Sequence, residues 1–304
     1  MSSATEFVRL MRPHHWIKNG FVLVGLLFGH AWTEAQQLAG AALLLASFCL
    51  ASSAVYIMND VMDREADRLH PTKRHRPVAR GSVASGHALV LALVLAVAGL
   101  MLAFRVSLEA LALAALYVLL NIGYSAGLKH VAILDVFIIA AGFMLRILAG
   151  TVGLGIAPSH WLLLCGLMLT VFLGFSKRRA ELGTADAGVQ DARFESGVNR
   201  ERKIAARSAL AGYTPALLDR MIWLSAGATL ITYGLYTVDD VTILIHGTDR
   251  LVYTVPFVLY GLFRYLHLLY RRGGGADPAL EVARDLQLLV ATLAWLAAVL
   301  FLLS

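Results

Sequence analysis

Residues 59–77 read NDVMDREADRLHPTKRHRP, and they follow an apolar run at 37–58 without a break. Acidic residues come first in this stretch, and a dense basic cluster follows them at 73–76. An apolar run of about 20 residues is long enough for one α-helix to cross the hydrocarbon core of a bilayer. The stretch therefore places opposite charges side by side at the end of a predicted membrane helix.

The composition of the whole chain indicates an integral membrane protein. Hydrophobic residues make up 59% of the 304 residues and charged residues only 15%, whereas a soluble domain carries about 25% charged residues. The apolar runs are continuous rather than alternating, which argues against a β-barrel. We therefore predict an all-α fold with about nine transmembrane helices. The windows are 19–33, 37–58, 88–104, 107–124, 131–152, 158–176, 218–238, 250–270 and 285–303.

Lysine and arginine are distributed unevenly between the two sides that nine helices would define. One side collects the basic residues of the N-terminal segment and of the loops 59–87 and 177–217, and the other holds little beyond Arg105 and Arg250. Because basic residues favour cytoplasmic loops, we expect the N-terminus and both loops to face the cytoplasm from the inner membrane. We treat residues 1–304 as a single transmembrane domain in the lipid bilayer. No motif for nucleic-acid binding accompanies the basic loops, and the sequence leaves open whether the protein forms a homo-oligomer.

Asn59, Asp63 and Asp67 are spaced by four residues. Four-residue steps on an α-helix drift by only about 40°, so the three side chains are predicted to share one face. Carboxylate and amide oxygens are hard ligands that suit Mg²⁺, which completes its shell with water and phosphate oxygens. We expect a Mg²⁺ site at Asn59, Asp63 and Asp67, with Lys73 and Arg76 contacting the phosphate. The alternative is a solvated helix end whose aspartates pair with nearby arginines.

The motif NDxxDxxxD at 59–67, the stretch HPTKRHRP at 70–77 and Gly81 resemble the UbiA superfamily of intramembrane transferases. The resemblance implies a bundle of nine helices around a central cavity. It also implies an aspartate motif that holds a diphosphate through Mg²⁺.

The second half of the chain departs from the aromatic prenyltransferases of that superfamily, which carry a second Asp-rich motif after helix six. Here the stretch reads FSKRRAEL at 175–182 and supplies Lys177, Arg178, Arg179 and Glu181. A basic second site suits an additional phosphate better than a second metal-held diphosphate. Together with Tyr124 and Lys129 in the stretch 121–130, this pattern resembles the polyprenyl-phosphate phosphoribosyltransferase branch.

The branch resemblance implies transfer of 5-phosphoribose from 5-phosphoribosyl diphosphate to a polyprenyl phosphate, with release of diphosphate. Such a product would feed an early step toward a lipid-linked arabinose donor in cell wall biogenesis. In this scheme the metal held by Asp63 and Asp67, together with Lys73 and Arg76, stabilises the leaving diphosphate. The alternatives are transfer of a prenyl group to an aromatic acid and, outside the enzymes, a transporter with charged gating loops.

The sequence allows two roles each for Arg146 and Lys18, one structural and one in substrate binding. Arg146 lies inside an apolar window, where an ionisable side chain is costly and faces a cavity or a partner. It either contacts a substrate phosphate or forms a buried structural pair, and Asp135 is a poor partner because the two residues are separated by about 16 Å of helical rise. Lys18, beside His14 and His15, either anchors the helix at the membrane interface or binds the lipid phosphate.

Overall fold

The computed structural model describes residues 3–69, 73–191, 210, 212–272 and 278–303, and every regular element in these ranges is a helix. The α-helices are α1 Ser3–Met11, α2 Val24–Phe28, α3 Ala35–Met62, α4 Arg64–Leu69, α5 Ser85–Phe104, α6 Leu108–Ala126, α7 Leu134–Ala149, α8 His160–Asp191, α9 Pro215–Val238, α10 Asp240–His246, α11 Val255–Arg272, α12 Pro278–Arg284 and α13 Leu286–Leu303. Short 3-10 helices occur at Pro13–Leu23, Lys73–His75, Leu128–His130, Val152–Leu154 and Arg250–Thr254.

Within the described ranges, eight helical segments are long and apolar enough to cross a membrane. The prediction of an all-α membrane protein is confirmed, and the count of nine helices is approximate. Large apolar side chains stay exposed on these helices, including Leu93 at 66%, Leu224 at 72% and Phe301 at 80%. Such surfaces are unfavourable in water and suit contact with lipid tails.

The window 19–33 is where the predicted helix count and the structure differ. Residues Pro13–Leu23 form a 3-10 helix, and the short α2 follows it. Arg12 precedes this helix with a left-handed backbone (φ 52°), and Pro13 supplies the fixed φ that suits a first helical position. Gly25 then passes so close to Gly150 that a Cβ on Gly25 would lie 1.9 Å from the Gly150 carbonyl oxygen. Close packing against Gly150, which hydropathy does not report, therefore constrains the backbone at α2.

The chain divides into two compact units, and the first comprises Met1–Lys129 and Leu145–Pro158. Its core is built around α3, where Leu44 and Phe48 are fully buried. Gly99 of α5 allows a close approach to α3, because a Cβ there would lie 2.9 Å from the Ser47 carbonyl oxygen. Ser47 Oγ donates to the Gly99 carbonyl at 2.7 Å, which satisfies a polar group inside the core.

The second unit comprises His130–Met144 and Ser159–Ser304. Its core joins α8, α9 and α11 through Phe172, Leu218 and Tyr265. The helix α9 begins after Thr214, whose side chain accepts from Leu217 N at 3.2 Å as an N-cap. Pro215 follows at the first helical position, where its missing N–H is not needed.

The helix α8 extends well beyond the predicted end of its window at residue 176. It runs continuously from His160 to Asp191, so the stretch FSKRRAEL is helical rather than part of a loop. Of the loop predicted at 177–217, residues 192–209 and 211 lie outside the described residues.

Candidate active site

Asn59, Asp63 and Asp67 follow one helical hydrogen-bond register across the junction of α3 and α4. Asp63 N donates to Asn59 O at 2.9 Å, and Asp67 N donates to Asp63 O at 2.8 Å. The junction at Asp63 therefore interrupts the helix only slightly, and the four-residue spacing of the sequence becomes a structural spacing. We call these three residues the acid face.

Each residue of the acid face accepts from a partner in the first unit. Ser125 Oγ donates to Asn59 Oδ1 at 2.6 Å, and Lys129 Nζ donates to Asp63 Oδ1 at 2.6 Å. Arg76 Nη1 donates to Asp67 Oδ2 at 2.7 Å. The structure thus brings two predicted basic residues, Arg76 and Lys129, onto the two predicted carboxylates.

Asp60 is a site residue that the sequence reasoning missed. Its side chain is 2% exposed, and its Oδ1 accepts from Arg12 Nη2 at 2.5 Å and from Arg76 Nη1 at 3.1 Å. Burial lowers the pKa of Arg12, and the nearby Asp60 carboxylate opposes that shift. The sequence did indicate that Asp60 needs a partner, because it is a carboxylate in the last turn of an apolar helix. The sequence could not identify Arg12 as that partner, because the two residues are 48 positions apart in the chain.

The oxygen donors of the acid face fit a Mg²⁺ ion. Asp63 and Asp67 each use one carboxylate oxygen in the bonds above, and a carboxylate offers about four acceptor positions. Asp63 is also open to water, since its side chain is 32% exposed. Among the residues that the structure describes, no group of three His, Cys, Asp or Glu side chains forms a metal site. The acid face itself offers two carboxylates and one amide oxygen, and water and phosphate oxygens would complete the shell of a bound Mg²⁺ ion.

The predicted residue Arg178 lies in a buried network of the second unit. It is 9% exposed, and its guanidinium donates at 2.5 Å both to Asp135 Oδ2 and to Glu181 Oε2. Tyr213 OH also donates to Asp135, and it accepts from Ile133 N at 2.6 Å. Burial, reinforced by the bond to Asp135, raises the pKa of Tyr213, so this phenol remains a neutral donor. Arg178 thus joins α8 to the start of α7.

Lys177 and Arg179 flank Arg178 and are more exposed. The Lys177 ammonium lies 3.8 Å from Glu181, and its side chain is 39% exposed. Arg179 Nε donates to Asp219 Oδ1 at 2.8 Å with its side chain 26% exposed. Partial exposure leaves both side chains able to reach an anionic ligand, unlike the more deeply buried Arg178.

Arg146 is held by protein groups inside the first unit. It is 5% exposed, and it donates to Asn19 Oδ1 at 2.8 Å and to Tyr117 OH at 3.0 Å. Its guanidinium also lies 4.5 Å from the centre of the Tyr117 ring, a favourable cation–π contact. These contacts favour the structural interpretation of Arg146 over a phosphate contact.

The remaining predicted residues occupy less buried positions. Lys73 is exposed in the 3-10 helix Lys73–His75, and Lys18 is half-buried in the 3-10 helix Pro13–Leu23. Tyr124 is half-buried near the end of α6. Their roles toward a substrate stay predictions.

This chain is similar in sequence to known proteins along most of its length. A profile of the UbiA prenyltransferase family matches residues 20–282. A decaprenyl-phosphate phosphoribosyltransferase from Mycolicibacterium smegmatis is 34% identical over 303 residues, covering 96% of this chain and 90% of the relative. The protein of that name from Mycobacterium tuberculosis is 34% identical over 298 residues, covering 96% of this chain and 92% of its own.

Solved structures share the fold at lower sequence identity. A UbiA homolog from Archaeoglobus fulgidus, bound to GPP and Mg²⁺, superposes with a TM-score of 0.69 at 16% identity. The alignment covers 98% of this chain and 99% of that one. A structure concerned with digeranylgeranylglyceryl phosphate synthase in membranes gives a TM-score of 0.65 at 17% identity, covering 100% of this chain and 99% of that one.

Proposed function

The chain belongs to the UbiA prenyltransferase family, and on that premise we propose that it transfers 5-phosphoribose from 5-phosphoribosyl diphosphate to a polyprenyl phosphate. Relatives named decaprenyl-phosphate phosphoribosyltransferase support this choice, since they are 34% identical along nearly the whole chain. The replacement of a second Asp-rich motif by FSKRRAEL supports the same branch over prenyl transfer to an aromatic acid.

The observation that carries the proposal is the pairing of Lys129 and Arg76 with the acid face. Carboxylate oxygens proposed as metal ligands and cations proposed to bind phosphate lie within hydrogen-bond distance of one another there. A diphosphate held by a divalent metal needs both kinds of group at one place. Asn59, Asp63 and Asp67 would hold the Mg²⁺, which when bound neutralises charge on the diphosphate as a Lewis acid. The solved homolog that carries GPP with Mg²⁺ is consistent with this assignment.

The residues of the chain would then act on the departing group. As the bond between ribose C1 and the diphosphate oxygen breaks, the electron pair leaves with the diphosphate. Arg76, Lys129 and Lys73 stabilise that charge by donating to phosphate oxygens. A new bond forms between C1 and an oxygen of the lipid phosphate, which attacks from the opposite face. A phosphate monoester is already anionic near neutral pH, so no strong general base is required.

The other basic residues divide into two groups. Lys177 and Arg179, together with Lys18 and Tyr124, stay proposed contacts to the substrate phosphates. We assign Arg178 and Glu181 to the buried network around Asp135, where they position the helix that bears Lys177 and Arg179.

The test is transfer of label by purified protein in lipid nanodiscs. Protein receives 5-phosphoribosyl diphosphate labelled in the ribose, a polyprenyl phosphate and Mg²⁺, and lipid-extractable label is counted. We expect label in the lipid phase, its loss with EDTA and its recovery with added Mg²⁺. A parallel reaction supplies geranyl diphosphate and an aromatic acid. Prenyl transfer in that reaction without ribose transfer in the first would overturn the proposal in favour of an aromatic prenyltransferase.

A further inference from the structure

The two carboxylates of the acid face carry internal counter-cations in the structure. Lys129 Nζ lies 2.6 Å from Asp63 Oδ1, and Arg76 Nη1 lies 2.7 Å from Asp67 Oδ2. We propose that the acid face works by cation exchange: Lys129 and Arg76 leave the carboxylates and donate to the diphosphate as the metal takes their place. The exchange rests on the proposed function for its diphosphate, and it concerns the coupling between the binding of the metal and the binding of the diphosphate.

The charge balance of the cluster is the first argument. Three carboxylates, Asp60, Asp63 and Asp67, pair with three cations, Arg12, Arg76 and Lys129. A divalent metal that arrives alone adds two positive charges beside Lys129 and Arg76, and these cations have no new anion to bind. Diphosphate brings the missing negative charge and accepts hydrogen bonds from the displaced cations. Metal and diphosphate should therefore bind with positive coupling, and the coupling acts equally on both affinities.

The second argument is the different anchoring of the two cations. Lys129 and Asp63 have side chains that are 20% and 32% exposed, so water can replace their ion pair at low cost. Arg76 is shared between Asp67 and Asp60, and Asp60 is 2% exposed. When Arg76 releases Asp67, the bond to Asp60 keeps its guanidinium at the site. Asp60 and its partner Arg12 are thus positioning residues for Arg76.

The test measures metal binding rather than turnover. Full-length protein in nanodiscs is titrated with Mn²⁺, and free Mn²⁺ is counted by electron paramagnetic resonance with and without inorganic diphosphate. Empty nanodiscs give the correction for Mn²⁺–diphosphate complexes in solution. We expect Mn²⁺ to bind at least about fivefold more tightly when diphosphate is present, which is the lower end of ordinary coupling.

The variant Lys129→Met separates exchange from simple attraction. It removes the counter-cation of Asp63, so Mn²⁺ alone should bind more tightly. It also removes a donor to phosphate, so diphosphate should bind more weakly in the presence of metal. The two changes have opposite signs, and a general loss of fold cannot produce that combination. Arg64→Met is the matched control, because it removes a positive charge next to Asp63 from a side chain whose ion pair is with Glu65, 3.9 Å away.

Equal Mn²⁺ affinity with and without diphosphate would overturn the exchange. An increase in Mn²⁺ affinity that is as large in Arg64→Met as in Lys129→Met would also overturn it. These results are independent of the label-transfer test, because inorganic diphosphate contains no ribose. Coupled binding together with absent ribose transfer would overturn the proposed reaction and leave the exchange supported.

Discussion

Asp63 and Asp67 differ in burial, and this difference separates their two expected roles. The Asp67 residue is 3% exposed and accepts from Arg76, whereas the Asp63 side chain is 32% exposed. A buried ion pair that loses one partner leaves an uncompensated charge, which costs far more than breaking an exposed pair. The same chemical change should therefore affect stability at one position and spare it at the other.

We expect Asp63→Asn and Asp67→Asn each to lower ribose transfer by about 10²–10³-fold, the typical effect of removing one group that stabilises the transition state. Asp67→Asn should also lower the thermal unfolding midpoint, and Asp63→Asn should leave it nearly unchanged. Initial rates in nanodiscs and scanning fluorimetry in detergent measure the two effects. Wild-type rates in both variants would remove the acid face from the reaction.

Arg146 offers a prediction about stability. The substitution Arg146→Met removes the hydrogen-bond donor to the side-chain oxygen of Asn19 and to the Tyr117 hydroxyl. A buried polar group that loses its partner costs about 1–3 kcal/mol of stability. We expect a lower unfolding midpoint and, in the folded fraction, a KM for 5-phosphoribosyl diphosphate close to that of the wild type. Arg146→Lys keeps the charge and loses the forked geometry, so it should recover only part of the stability. A raised KM at unchanged stability would instead assign Arg146 to the substrate.

At the scale of elements, the helix α1 is tied to the segment that follows the basic run. Glu6 accepts from Arg80 and, at 3.0 Å, from Ser82 Oγ. Leu10 of the same helix is fully buried and packs in a cluster with Val78 and Val83. An ion pair and an apolar contact therefore hold the N-terminal helix against residues 78–83, close to Arg76.

The contact at Glu6 predicts a pH dependence. The hydrogen bond from Arg80 lowers the pKa of Glu6 below its ordinary value of 4.5. A carboxylate with a lowered folded-state pKa stabilises the fold fully above 4.5, and this contribution is lost as the pH falls through the lower folded value. Glu6→Gln should therefore lower the unfolding midpoint at pH 7, and the difference from wild type should shrink toward pH 3.

The matched control for that measurement is Glu65→Gln, because the Glu65 side chain is 75% exposed and pairs with Arg68 on the surface. Such a pair contributes little to stability, so we expect nearly the wild-type midpoint at both pH values. A difference at Glu6 that stays constant between pH 7 and pH 3 would contradict the ion-pair explanation.

The sequence predicted elements where the information was local. Hydropathy located α3 and α5 to α9, and the four-residue spacing located Asn59, Asp63 and Asp67 on one register. The end of α8 was placed too early because hydropathy falls at Lys177, although lysine, arginine, glutamate, leucine and alanine all favour helices. The pairing of Asp60 with Arg12 joins distant parts of the chain, and no local pattern encodes such a contact.

At the scale of the whole molecule, the number of membrane crossings depends on whether the first helical segment is long enough to span the bilayer. Residues 13–28 are too few for an ordinary transmembrane α-helix, which needs about 20. A 3-10 helix rises about 2.0 Å per residue, against 1.5 Å in an α-helix. The 3-10 helix Pro13–Leu23 and α2 together therefore reach about 30 Å, which matches the hydrocarbon core of a bilayer. We therefore predict that this segment crosses the membrane with fewer residues and supplies the ninth crossing.

With nine crossings the N-terminal segment and the basic run would lie on the same side of the membrane, and single cysteines can test the assignment. In a background with Cys49→Ala and Cys165→Ala, intact cells are treated with a membrane-impermeant maleimide before or after permeabilisation. The basic run should lie inside, so Arg74→Cys should react only after permeabilisation. Glu34→Cys follows the first crossing, and Asp249→Cys lies on the same predicted outer side, so both should react in intact cells. Thr5→Cys precedes residues 13–28 on an exposed position, so it should react only after permeabilisation, like Arg74→Cys. Reaction of both Thr5→Cys and Glu34→Cys in intact cells would mean that residues 13–28 do not cross the membrane.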